Sequence, residues 1–263
     1  MTTPLSLTIP TSFGDVPLTA DERGEGRAIV ILHGGAGPAS VTGFADLLAE
    51  QTGSRVIAPS YPGFGGTPRP EALTTIAGLA ELIEGMLDAL DLDDVTVIGN
   101  SMGGWITAEL ALRHPSRLGR IVLVDAVGIE VTDHPVADFF ALTPAQIAER
   151  SWYDPSKAPS LDPSALPPAA REVFAGNRAS LALYGGSMAD ASLLGRLGGD
   201  EVPALVLWGE ADRIVDVAYG RAYAAGIPRA RFEVLAGVGH VPQMEGPEVL
   251  LTTVARSADT DAG

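Results

Sequence analysis

The chain contains no cysteine. Disulfide bridges, thiolate metal sites and a cysteine nucleophile are excluded with it. Positive charge is scarce as well: 17 Lys and Arg stand against 33 Asp and Glu, a formal net charge of −16. A surface that acidic repels nucleic acid and anionic membrane. The acids are spread along the chain, so they read as a solvated surface. Long apolar runs are missing too. The apolar runs, such as Ile121-Val122-Leu123-Val124, fall far short of the roughly 20 residues a membrane helix needs. Residues 1–10 have neither a basic stretch nor a long apolar one, so no secretory leader is read there. These absences predict a soluble cytoplasmic protein that takes a small-molecule substrate, with no nucleic-acid or membrane partner. The oligomeric state is left open.

What is present is a chain of 263 residues, 46% hydrophobic, with 31 Gly and 20 Pro. That supports a substantial core joined by many short loops. Apolar, β-branched-rich runs at 28–32, 55–58, 95–98, 121–124, 204–208 and 231–235 lack strict alternation. They are therefore expected to be strands covered on both faces. Helical patterns at 41–51, 73–90, 105–114, 217–226 and 247–255 separate them. Strand–helix alternation of this kind predicts an α/β fold: a mostly parallel twisted sheet with helices on both faces. The opening segments 5–13 and 16–21 alternate better, and Gly14-Asp15 between them predicts a hairpin at the sheet edge.

The rhythm breaks between about 128 and 199. Seven prolines, from Pro135 to Pro168, punctuate that region, and no strand run occurs in it. Short helical patterns at 136–142, 145–150, 169–184 and 188–197 predict an inserted helical cap over 128–199, with the core formed by 1–127 and 200–263.

Gly99-Asn100-Ser101-Met102-Gly103 lies between the run 95–98 and the helical pattern that follows it. A sharp strand-to-helix turn there can hold Ser101 strained with its hydroxyl exposed. A hydroxyl nucleophile needs a base, an orienter for the base and donors for the developing oxyanion. Four histidines compete for the base. His114 reads as a helix-end residue, and His134 lies in the insertion. His33 opens His33-Gly34-Gly35-Ala36-Gly37-Pro38 after the first core strand, and His240 sits in a Gly-flanked loop after the last strand. His240 is placed to act as the base. Asp212, past the strand 204–208, ranks first as its orienter, ahead of Asp125; Glu210 and Asp216 are neighbours in sequence. The oxyanion donors are the N–H of Met102 and that of Gly35 or Ala36. The loop after His33 lacks the Lys-Ser/Thr ending of a phosphate-binding loop and does not match G-x-G-x-x-G. No metal and no organic cofactor is expected.

Read in order, these motifs resemble the α/β-hydrolase family: the His33-Gly34-Gly35 loop, Tyr61-Pro62-Gly63-Phe64-Gly65, the elbow at Ser101, the acid turn at Asp212 and the loop at His240. The order Ser, Asp, His is the family's. Within it, Gly99-Asn100-Ser101-Met102-Gly103-Gly104 and Gly37-Pro38 are similar to the meta-cleavage product hydrolases, which cut a carbon–carbon bond, while Val238-Gly239-His240-Val241-Pro242-Gln243-Met244-Glu245 equally resembles carboxylesterases and lactonases. That subgroup usually has Trp after the catalytic His, where this chain has Val241. It also usually places a cap Arg in the site, for which Arg178 is the counterpart. Ser101 stands where haloalkane dehalogenases and epoxide hydrolases carry Asp. The expected activity is hydrolysis of an ester, thioester or lactone of a small apolar substrate, with carbon–carbon cleavage as the alternative and a non-catalytic binding protein as the reading from another class. His33, Asn100, Arg178, Trp152 and Val241 are the expected substrate contacts.

Overall fold

In the computed structural model, which describes residues 1–159, 162–199 and 201–260, eight strands form one sheet. They are β1 (Thr3–Thr11), β2 (Gly14–Arg23), β3 (Ala28–Leu32), β4 (Arg55–Ser60), β5 (Val95–Asn100), β6 (Leu118–Val124), β7 (Ala204–Gly209) and β8 (Ala230–Leu235). Their order is β1-β2-β4-β3-β5-β6-β7-β8. β1 and β2 pair antiparallel, β2 joins β4 antiparallel, and the six strands from β4 to β8 are parallel. Every residue of β3 and β7 is buried, as strands covered on both faces require. β2, which lies between β1 and β4, alternates instead.

The helices are α1 (Ala39–Thr52), α2 (Ile76–Ala89), α3 (Met102–Ala111), α4 (Pro144–Ser151), α5 (Pro168–Gly185), α6 (Leu193–Leu197), α7 (Val217–Ala225), α8 (Pro242–Glu245) and α9 (Pro247–Thr260). Two apolar clusters fill the two sides of the sheet. One holds residues of α2, α3 and α7, such as Leu79, Ile106 and Tyr219. The other holds Phe44 and Leu48 of α1 with Leu250 and Val254 of α9. Among the described residues no helix is long and apolar enough to cross a membrane.

Several boundaries differ from the sequence reading. The hairpin turns at Ser12-Phe13 and not at Gly14-Asp15: Thr11 pairs with Gly14, and Ser12 Oγ donates to Glu81 of α2 at 2.9 Å. Helix α2 starts at Ile76 because the Thr75 side chain accepts from Gly78 N–H. Residues 136–142 form no helix. The Ala137 N–H donates to Ile214 O (2.8 Å), a distant carbonyl, which ties this stretch to the turn after β7. The pattern at 188–197 yields only the short α6, because Met188 has φ 63° and Ala189 bridges to Gly128.

Between β6 and β7 the described chain holds helices α4, α5 and α6 and two 3-10 turns, Pro155–Lys157 and Pro163–Ala165. α4 starts in a reciprocal cap, Thr143 with Gln146. α5 is fastened to loops at the carboxyl ends of β3 and β4. Asn177 accepts from Gly65 N–H (2.9 Å) and donates to Ala36 O (3.3 Å), Ser180 donates to Gly63 O (2.8 Å), and Tyr184 donates to Pro62 O (2.9 Å).

Chain order reverses at β3. From it the chain crosses to β4 on one side, and β5 flanks it on the other. Leu32 and Gly99 lie opposite each other at the carboxyl ends of β3 and β5. Loops diverge at such a point and leave a crevice, where ligands bind in open parallel sheets.

Candidate active site

Ser101 joins β5 to α3 with φ 55° and ψ −118°, a backbone conformation costly for a residue with a Cβ. The packing around it explains the flanking glycines. A Cβ on Gly99 would lie 2.2 Å from Gly103 O, and one on Gly103 would lie 2.2 Å from Leu32 O. Strand, turn and helix approach this closely only without side chains there.

The Ser101 Oγ lies 3.0 Å from His240 Nε2, and His240 Nδ1 lies 2.7 Å from Asp212 Oδ2. Asp212 sits in the turn after β7, where its Oδ1 accepts from Ile214 N–H (2.8 Å) and Val215 N–H (3.1 Å). All three side chains are buried. With Asp212 accepting at Nδ1–H, Nε2 is free to accept the Ser101 hydroxyl proton.

His240 is held from several sides. Its N–H donates to Ser151 O at the end of α4 (2.7 Å), and its carbonyl accepts from Asn100 Nδ2 (2.9 Å). Asn100 Nδ2 also reaches Val124 O (3.2 Å), while its Oδ1 accepts from Gln243 Nε2 (3.0 Å). Glu245 accepts from the N–H groups of Gly239 (2.8 Å), Tyr153 (3.0 Å) and Asp154 (2.9 Å), which joins the His240 loop to the segment after α4. Gln243 and Glu245 escape sequence reading. They follow His240 closely, but their partners are backbone groups and side chains that only the fold brings near.

The N–H groups of Gly35, Ala36 and Met102 find no acceptor among the described residues. Gly35 and Ala36 line a cavity of about 180 Å3 over Ser101 and His240. Met102 starts α3, so its N–H is an orphan of the helix terminus and sits at the positive end of the dipole. The cavity walls are mostly apolar and include Phe139, Ile147, Trp152, Leu181 and Val241. Arg178 is the sole Arg, Lys, Asp or Glu among the lining residues. Its Nη2 donates to Phe140 O (2.8 Å), and its guanidinium lies 5.5 Å from the ring centroids of Phe139 and Phe140. It has no carboxylate partner among the described residues.

The expected substrate contacts thus divide. Arg178, Trp152 and Val241 line the cavity. Asn100 also reaches it, but its amide is spent on Val124, His240 and Gln243. His33 is not a lining residue. It is fully buried, with its ring centroid 4.1 Å from that of Tyr61 and 5.0 Å from that of Phe64, and its Nδ1 bonds Gly34 O (2.8 Å). Its place beneath the loop comes from the apolar Tyr61 and Phe64, which bury the ring. Burial depresses the His33 pKa to about 4, so the imidazole is neutral.

Asp125, Asp212 and His240 form a tight group of potential ligand atoms, all within 4.8 Å of one another. The direct 2.7 Å contact between His240 and Asp212 would have to break to admit an ion among them.

A sequence profile described as Alpha/beta hydrolase family matches residues 29–253. A 2-hydroxymuconate semialdehyde hydrolase of Pseudomonas putida is 31% identical over 254 residues, covering 86% of this chain and 85% of that protein. Among solved structures, an esterase from Thermogutta terrifontis matches with a TM-score of 0.75 over 98% of both chains, at 23% identity. The 2-hydroxy-6-oxo-6-phenylhexa-2,4-dienoate hydrolase from Rhodococcus sp. strain RHA1 matches with a TM-score of 0.76, at 24% identity, covering 97% of this chain and 99% of that one. At these identities both structures speak to the fold.

Proposed function

The chain belongs to the alpha/beta hydrolase family, and from that premise we propose that it is a serine hydrolase that opens a carbonyl substrate through an acyl-enzyme. The observation that carries this reading is the unbroken chain of contacts from Ser101 Oγ through His240 to Asp212, set at the floor of an apolar cavity. His240 Nε2 takes the hydroxyl proton as Ser101 attacks, and Asp212 stabilises the imidazolium that forms. The N–H of Met102 and that of Gly35 or Ala36 receive the oxyanion, an arrangement in which one donor is typically worth about 10²–10³ in rate. His240 returns the proton to the leaving group, and water then releases the acyl group by the same path. Residues 128–199 serve as a cap that shapes the substrate cavity. The first substrate class is an ester, thioester or lactone with a small apolar acyl part, in keeping with the cavity walls. Turnover of a short p-nitrophenyl ester tests this directly: activity is expected in the native chain and lost in Ser101→Ala. A folded protein inert to all such substrates contradicts it.

Arg178 favours a second reading. A guanidinium in an apolar cavity with no carboxylate of its own suits a substrate that brings one. The Pseudomonas putida relative acts, by its name, on 2-hydroxymuconate semialdehyde, a substrate of carboxylate type. Under this reading the chain cleaves a carbon–carbon bond, and it bleaches a coloured dienol carboxylate faster than it cleaves a neutral ester. The reverse ranking selects the ester.

A further inference from the structure

Asp125 directly follows β6, fully buried and with a left-handed backbone (φ 48°). Its N–H donates to Leu207 O (3.0 Å), and its Oδ1 accepts from Gly209 N–H (2.7 Å). It thereby straps β6 to the last residue of β7. Gly209 in turn accepts the Asp212 N–H through its carbonyl (3.2 Å), so Asp125 grips the turn that presents Asp212. One carboxyl oxygen of Asp125, one of Asp212 and a ring nitrogen of His240 lie within 4.8 Å of one another. The second oxygen of Asp125, Oδ2, is buried and has no donor among the described residues.

A buried carboxylate oxygen with no donor beside a second carboxylate is an unstable arrangement unless one of the two is protonated. The donors around each group decide which. Asp212 accepts from Ile214 N–H, Val215 N–H and His240, three donors that favour its charge. Asp125 accepts from one, Gly209 N–H. Among the described residues, Asp212 and His240 are the titratable groups gathered around Asp125, and no Lys or Arg is paired with it. Burial first, and then the charge of Asp212, hold its carboxyl well above the usual carboxylate range.

We propose that Asp125 is a positioning residue of this site: its neutral carboxyl donates a hydrogen bond to the Asp212 carboxylate and fixes that carboxylate against His240. The orphaned oxygen then carries the proton, and the pair holds a single negative charge. For its kinetic readout the inference rests on the serine-hydrolase reading; its spectroscopic readout does not.

The test compares Asp125→Asn with Asp125→Ala. An amide at 125 can still accept from Gly209 N–H and donate to Asp212, so Asp125→Asn keeps kcat within about threefold of the native chain. Asp125→Ala loses about tenfold or more in kcat with little change in KM. The acid limb of kcat/KM reports the protonation of His240. A neutral Asp125 leaves that limb in place in Asp125→Asn. Had Asp125 been ionised, removing its charge would withdraw electrostatic support from the protonated base and move the limb to lower pH, and that movement would overturn the proposal. Infrared spectroscopy on the native protein at neutral pH supplies the measurement independent of turnover and of variant folding. A C=O stretch of a protonated carboxyl, shifted in deuterated water, is expected. Its absence would overturn the proposal even if the hydrolase reading stands. If the stretch is present and no substrate is turned over, the hydrolase reading fails alone.

Discussion

Asn100, the residue before Ser101, donates from Nδ2 to the carbonyl of His240 at 2.9 Å, although 140 positions separate them. The elbow and the imidazole are thus held by one amide, whose Oδ1 is in turn steadied by Gln243. Replacing Asn100 with Ala leaves the Ser101 hydroxyl intact but releases the loop that aims the ring. A lost buried hydrogen bond of this kind costs about 1–3 kcal/mol, so kcat is expected to fall about tenfold or more with KM little altered. Steady-state kinetics on the ester substrate checks this.

The approach of α3 to β3 makes a sharp stability prediction. A methyl group at position 103 would meet Leu32 O at 2.2 Å and His33 O at 2.7 Å, both backbone atoms that cannot swing aside. Gly103→Ala is expected to cost about 3 kcal/mol or more, at the upper end for overpacked cores. Denaturant titration reads it as a lower midpoint with an unchanged slope.

His33 predicts how stability depends on pH. Its folded pKa of about 4 lies below the ordinary 6.5, because burial disfavours the imidazolium. The unfolded chain therefore binds a proton at this residue that the folded chain refuses. Stability from this source is complete above the unfolded value and drains away as pH falls from about 6.5 toward 4, by about 3 kcal/mol in all. His33→Asn is expected to flatten that part of the curve. Unfolding midpoints for the two proteins between pH 7 and pH 4 give the comparison.

Arg178 separates substrate classes. Arg178→Met keeps the cavity apolar and removes the charge. For a substrate carrying a carboxylate, losing a charge-assisted hydrogen bond worth about 1.5–3 kcal/mol raises KM by about tenfold or more. A neutral ester is expected to be almost unaffected. Michaelis constants for matched neutral and anionic esters make the measurement.

The sheet was readable because strands buried on both faces leave continuous apolar runs, and β3, β5, β6 and β7 fall on those runs. The elbow was readable because Ser101 and its flanking glycines stand between an apolar strand run and a helical pattern. Failures came where distant contacts outweighed local preference. Residues 136–142 have a helical pattern, yet Ala137 donates to Ile214 O. The hairpin turn moved off Gly14-Asp15 once Ser12 bonded Glu81 across the fold. Asn100, expected to face substrate because of its place beside Ser101, does line the cavity, but the partners of its amide, Val124, His240 and Gln243, come from other parts of the chain. Glu245 has no role legible in the sequence, since backbone N–H groups from Gly239, Tyr153 and Asp154 are what define it.

The central claim is that Ser101 is an activated nucleophile, with its hydroxyl poised on His240 and the ring set by Asp212. Intact-mass measurement after exposure to a fluorophosphonate tests it without knowledge of the substrate. One adduct is expected, located on Ser101 by peptide mapping, absent in Ser101→Ala and formed about 10⁴-fold more slowly in Asp212→Asn, which leaves the imidazole in the wrong tautomer. A folded native protein that gains no adduct, or gains it on another residue, contradicts the account.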